Sequence, residues 1–170
     1  PLLYSQPVTR VKTKNFPYCA PICAFFQKYT IVIAYLFRYN KSMNKRAKIF
    51  VTGGAGFVGR AIVAKLVKNE QFSVVVFDKF HPRDKNLPFS KEATYIVGDI
   101  KNKKDFVGVL LGVDLVLHLA ADIGSLQYME ELQADILTEN AAIDTVLYPA
   151  LVEAEVKTVI YSSSSMVFQN

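Results

Sequence analysis

The sequence predicts an α/β fold: a doubly wound parallel sheet with helices on both faces. Three observations predict it. Short apolar runs alternate along the chain with segments of helical periodicity. Those runs are continuous and β-branched, as strands buried on both faces must be. The first run ends in a glycine cluster, and a helical segment leads away from it.

The elements follow in order from Ala47. The run KIFV is a first strand ending at the glycines. RAIVAKLVKN is a helix, with Val58, Ile62 and Leu66 spaced for one face. FSVVVFD is a second strand, buried on both sides. HPRDKNLPFS, with two prolines and mixed charge, is a loop. ATYIVGD is a third strand, and NKKDFVGVLL a short helix capped by Asn102 and weakened by Gly108. DLVLHLAA is a fourth strand. Residues 126–154 form one long helix or two consecutive ones, and KTVIYSSS is the fifth and last strand of the chain. This order matches most of a doubly wound nucleotide-binding fold.

Charge divides the chain. Residues 1–46 carry eight Lys or Arg and no acid, whereas residues 47–170 carry twelve basic and fifteen acidic residues. The net charge of +5 therefore comes from the first segment, and the mildly acidic remainder argues against nucleic-acid binding. Cys19 and Cys23 both lie in that segment. His81 and His118 are far from them and from each other, so a four-ligand metal site lacks candidates. No disulfide framework is implied.

Residues 1–42 form a basic, partly apolar extension, and residues 43–170 the folded domain. Three readings of the extension compete: a membrane or targeting segment, a loosely attached extension, and a segment foreign to the native protein. The last is favoured, because Met43 opens a short basic lead into the first strand. The membrane reading is disfavoured, because the clean apolar run YTIVIAYLF is far shorter than the ~20 residues a spanning helix needs.

The stretch VTGGAGFVGR places glycines at 53, 56 and 59. Gly53 suits the torsions of a tight strand-to-helix turn. Gly56 removes a side chain where a pyrophosphate must approach the backbone. Gly59 lets the helix pack closely. With the helix beginning there, the amides of Phe57 and Val58 are free to face phosphate, with the helix dipole assisting. Asp78 ends the next strand, 19 residues past Gly59, where an acid accepts from the adenine ribose hydroxyls. The bland alternative is a plain turn with a surface Asp. A carboxylate at 78 also opposes the extra phosphate of NADP, by about 4 kcal/mol for unit charges about 4 Å apart at an effective dielectric of about 20. That favours NAD, although Lys79 beside it can accommodate a phosphate.

From about Met43 onward the chain resembles the extended short-chain dehydrogenase/reductases, and among them the NAD-dependent epimerases and dehydratases of nucleotide sugars. The resemblance rests on TGGAGFVG, Asp78, GDI at 98–100, HLAA at 118–121, Asn140 and SSSSMVF at 162–168, in that order. It implies a Rossmann-like domain binding NAD and a nucleotide-sugar substrate, with transient hydride transfer from a sugar carbon. It further implies a cytoplasmic, homodimeric full-length enzyme, dimerising near residues 126–155.

Carried over by position, Asp99 and the Ile100 backbone hold the adenine edge. Leu119, Ala120 and Ala121 line the cofactor, Asn140 sits near the ribose and nicotinamide, and Ser162 joins the cofactor contacts. Ser164 is the catalytic serine, its hydroxyl on the sugar oxygen. Blander readings are a turn cap for Asp99, a surface helix residue for Asn140 and a polar strand end for the serines. His118 is better read as a satisfied core histidine than as a catalyst.

The stretch AADIGSLQYMEELQADILTEN most resembles the GDP-mannose 3,5-epimerase branch, although Ser125 stands where a second glycine is expected after Gly124. Gln169 departs from the usual glycine. The family's chemistry needs a Tyr-x-x-x-Lys pair, and no Tyr of this sequence has Lys four residues later. The resemblance therefore implies an N-terminal piece of a longer enzyme, inactive by itself. The alternatives are a dinucleotide-binding sensor or scaffold without the pair, and a reductase tethered through residues 16–38.

Overall fold

The structure, a computed structural model, describes residues 46–162. The expectations placed on residues 1–42 and on Ser164 lie outside the described residues. Five strands form one sheet: β1 (Ala47–Thr52), β2 (Phe72–Asp78), β3 (Thr94–Val97), β4 (Leu115–His118) and β5 (Val159–Tyr161). Their spatial order is β3-β2-β1-β4-β5, and every pair is parallel. The predicted doubly wound parallel sheet is what forms.

The strands read as unbroken apolar runs because both faces are covered. Along β1 the side chains alternate: Ile49 and Val51 enter one core, and Phe50 enters the other. In β2, Val74 and Val76 join the first core, and Val75 and Phe77 the second. Helix α1 (Phe57–Leu66) closes the first core with Ile62, Val63 and Leu66. Helix α2 (Lys103–Phe106) and helix α4 (Gln133–Glu153) close the second, through Phe106 and through Ile143, Leu147, Ala150 and Leu151. Phe50, Phe77 and Phe106 meet there with ring centroids 5.8–6.5 Å apart. Burying each such side chain contributes about 1.5–3 kcal/mol.

Local differences have local causes. Helix α1 starts at Phe57, two residues before Gly59, because Gly56 with extended torsions (φ −68°, ψ 174°) is already its N-cap. The loop after β2 contains a 3-10 turn, Pro82–Lys85, started by Pro82 and by His81, whose Nδ1 accepts from the Arg83 amide. Asn102 occupies the N-cap of α2 but makes no capping bond; its side-chain amide donates to the Asp105 carboxylate instead. Helix α2 lasts one turn and relaxes into a 3-10 segment, Val107–Val109, around Gly108. Residues 126–153 are two helices, α3 (Leu126–Glu131) and α4, parted at Leu132, whose torsions (φ −121°, ψ 36°) leave the helical region. Ser125 serves as the N-cap of α3, its side chain accepting from the Tyr128 amide. Among the described residues no helix is long and apolar enough to cross a membrane.

Candidate functional site

A cleft of about 820 Å³ opens at the carboxyl ends of β1, β2 and β4. That is the crevice where open α/β sheets bind ligands, and the volume suits an extended small molecule. The glycine loop is its floor. The end of β2 is one wall, and the segment after β4 is the other.

The floor is shaped by absent atoms. The Gly53 amide donates to Phe77 O at 2.9 Å, tying the loop to β2. Gly53 has φ +69°, and a Cβ there would lie 2.6 Å from the Ala120 nitrogen. A Cβ on Gly59 would lie 2.3 Å from the Gly53 carbonyl oxygen, so this glycine lets α1 close on the loop itself. Gly54, which the spacing pattern passes over, is needed too: its Cβ would lie 2.6 Å from Val76 Cγ1. The tell-tale was the doublet in TGGAG.

Helix α1 begins on this floor. Its first backbone bond runs from the Arg60 amide to Gly56 O at 3.0 Å. The amides of Phe57 and Val58 therefore have no helical acceptor, and both residues line the cleft. An unpaired, dipole-aligned helix start of this kind takes an anion.

On the β2 wall, Asp78 Oδ2 accepts from the Ala55 amide at 2.9 Å. Burial pushes the Asp78 pKa up; the amides of Ala55, Lys79 and Phe80 and the charge of Lys85 oppose that. Lys79 and Lys85 line the same end, with Lys85 Nζ 3.8 Å from the Phe80 ring centre. Ile100 is buried and lines the cleft. Asp99 is not among its lining residues. The Asp99 Oδ1 accepts from the Lys101 amide at 3.0 Å within its own turn.

On the β4 wall, Leu119, Ala120 and Ala121 line the cleft, together with Asp122 and Ile123. Asn140 does not reach it as a lining residue. It grips the loop from behind: its Oδ1 accepts from the Asp122 amide at 2.7 Å, and its Nδ2 donates to Asp122 O at 2.9 Å. The Tyr128 hydroxyl donates to Asp122 Oδ2 at 3.0 Å, which pushes the Tyr128 pKa up. Ser162 lies just past β5, its amide on His118 O at 3.2 Å, away from the cleft lining. His118 is 1% exposed, with Thr52 Oγ1 2.6 Å from Nδ1 and Asp144 Oδ1 3.0 Å from Nε2. Burial pushes its pKa down, against Asp144. Among the described residues no cluster of three or more acids, histidines or cysteines is placed to hold a metal.

Sequence reasoning thus located the floor, Asp78, Ile100 and the residues 119–121. It missed Gly54, Lys85 and Asp122. Lys85 had no signal, since a lysine in a mixed-charge loop is ordinary. Asp122 directly follows HLAA and was within reach.

The model of the NAD dependent epimerase/dehydratase family matches residues 49–170. A 3-beta-hydroxysteroid dehydrogenase of Mycolicibacterium neoaurum is 32% identical over 123 residues, covering 71% of this chain and 32% of that protein. UDP-glucose 4-epimerase 3 of Oryza sativa is 31% identical over 140 residues, covering 72% of this chain and 35% of its own length. A UDP-glucuronic acid 4-epimerase of Bacillus cereus, solved with a fluorinated UDP-sugar and NAD, superposes with a TM-score of 0.56 at 28% identity. That overlap covers 67% of this chain and 39% of the other. The chain therefore spans about a third of the length of these relatives.

Proposed function

Because this chain belongs to the NAD dependent epimerase/dehydratase family, we propose that it is the NAD-binding part of a nucleotide-sugar epimerase or dehydratase. One observation carries the reading: a bare helix start and a half-buried carboxylate, Asp78, line a single cleft of about 820 Å³. The residues fit a dinucleotide. The glycine floor leaves room that a Cβ at 53 or 59 would fill. The Phe57 and Val58 amides are donors for a pyrophosphate, and Asp78 is an acceptor for ribose hydroxyls.

When bound, NAD supplies a hydride acceptor for a sugar carbon. The chain's own residues bind and orient it. The α1 amides hold the pyrophosphate. Asp78 fixes the adenosine end, and the apolar wall of Leu119 and Ala120 keeps water off the cofactor. Ile100 flanks the adenine. Asp99 and Asn140 act indirectly in this reading, by shaping the turn after β3 and the loop after β4. Ser164 is assigned the hydrogen bond to the sugar oxygen. The proton-transfer pair Tyr-x-x-x-Lys is not in this sequence, so the chain by itself binds NAD without turning over a sugar.

Titration calorimetry with NAD and NADP tests this. NAD binding, weakened about tenfold in Asp78→Ala, supports the reading. No heat at millimolar NAD removes it. A second reading, a dinucleotide sensor without catalysis, draws on the same missing pair. Adding UDP-glucose to the NAD-loaded chain separates the two, since a sensor has no reason to bind the sugar nucleotide. The steroid dehydrogenase among the relatives makes a sterol the control ligand.

A further inference from the structure

The Leu119–Ala120 wall is held by more than strand pairing. Both amides donate to one side-chain oxygen, Thr52 Oγ1, at 3.2 Å each. The Leu119 amide is shared with Thr52 O at 3.1 Å. Thr52 Oγ1 is also 2.6 Å from His118 Nδ1. A hydroxyl has two lone pairs and one hydrogen. The lone pairs face the amides, so the hydrogen goes to His118, and Nδ1 accepts it. The ring hydrogen then sits on Nε2 and donates to Asp144 Oδ1 at 3.0 Å. A relay runs from α4 through His118 and Thr52 to the cleft wall. The wall it fixes touches the floor, for Ala120 N is the atom nearest the place a Gly53 Cβ would occupy.

We infer that Thr52 and His118 are positioning residues for the dinucleotide: the relay with a neutral His118 holds the Leu119–Ala120 amides in their binding geometry, and protonation of the ring releases them. This rests on the proposed NAD site. A proton on Nδ1 would turn three donors toward one oxygen and leave the Thr52 hydrogen without an acceptor. The groups facing His118 are Thr52 from β1, Asp144 and Tyr148 from α4, and Tyr161 from β5. Asp144 alone of these favours the protonated ring, and burial of His118 outweighs it. The release therefore falls below the ordinary histidine range, about pH 6.5.

Two measurements on the chain test the relay. Nitrogen-15 NMR reads the tautomer directly. We expect Nε2–H, with the Leu119 and Ala120 amide shifts following the ring titration in the unsubstituted chain and not in Thr52→Val. Calorimetry reads NAD affinity in the folded variants, checked by circular dichroism. Thr52→Val should bind about tenfold more weakly at pH 7.5, and Thr52→Ser should restore most of that loss. The unsubstituted chain should bind NAD more weakly at pH 5.5 than at pH 7.5, by less than tenfold because the buried ring titrates below the ordinary histidine value of about 6.5. His118→Asn, which offers an acceptor near the Nδ1 position but does not titrate, should flatten that pH dependence. An Nδ1–H tautomer, or equal affinity in a folded Thr52→Val, overturns the inference. A chain that binds no NAD overturns the proposed function instead, and the amide titration then decides on the relay alone.

Discussion

The two sides of the cleft are built on different principles. The floor and the β2 wall come from one continuous stretch, Gly53 to Asp78, and are shaped by missing side chains. The β4 wall is assembled from residues distant in sequence: Thr52 and His118 are 66 apart, His118 and Asp144 are 26 apart, and Asp122 and Asn140 are 18 apart. The first is a steric device with little tolerance. The second is a hydrogen-bonded one, whose parts can be removed singly at moderate cost. A binding site can thus be rigid on one side and adjustable on the other.

Substitutions can break that contrast. The largest effect is expected on the steric side. Gly59→Ala places a Cβ 2.3 Å from the Gly53 carbonyl oxygen, with backbone on both sides and no flexible group to yield. It should cost about 3 kcal/mol or more, read as a lowered urea midpoint. If Gly59→Ala costs less than Thr52→Val, the distinction between the two sides fails.

On the hydrogen-bonded side, Thr52→Val keeps the shape and removes the oxygen shared by two amides and His118. Urea unfolding should show a loss of about 2 kcal/mol. Asn140→Ala frees both the amide and the carbonyl of Asp122, which are only partly buried. It should cost about 1 kcal/mol and speed amide exchange at Asp122.

pH sharpens the comparison, because the two walls respond with opposite sign. On the β4 wall the folded His118 pKa lies below its unfolded value. The unfolded chain then binds more protons below about pH 6.5, so stability falls as pH drops through that range. On the β2 wall the folded Asp78 pKa lies above its unfolded value of 3.8. Its contribution is present at acid pH and is lost as pH rises through the carboxylate range. Unfolding free energy measured against pH should lose the first slope in His118→Asn and the second in Asp78→Asn. The smallest effect is the outer reference: Lys103 and Glu153 form an exposed pair, and Lys103→Ala should change stability by less than about 0.5 kcal/mol.

The floor was legible because its constraints are local. Three glycines at fixed spacing and an acid at a strand end are written within 26 residues, and steric requirements of a turn leave a mark on the residue type itself. Gly54 escaped because its constraint is Val76 across the sheet. Asn140 pointed to the cleft by position, yet its amide is spent on the Asp122 backbone. Asn102 matched a cap pattern, but the neighbouring Asp105 carboxylate is the acceptor it met.

The amino-acid order alone determined the alternation of strands and helices, the burial of the strands on both faces and the bare helix start. Each depends on periodicity or on backbone sterics within a few residues. The tertiary structure decided which side chains met: Thr52 with His118, His118 with Asp144, Asn140 with Asp122. Those pairs exist only because β1 lies beside β4 and α4 packs across them. A hydrogen bond is short and directional, so its partner is settled by the final packing, whereas a periodic pattern is already present in the unfolded chain.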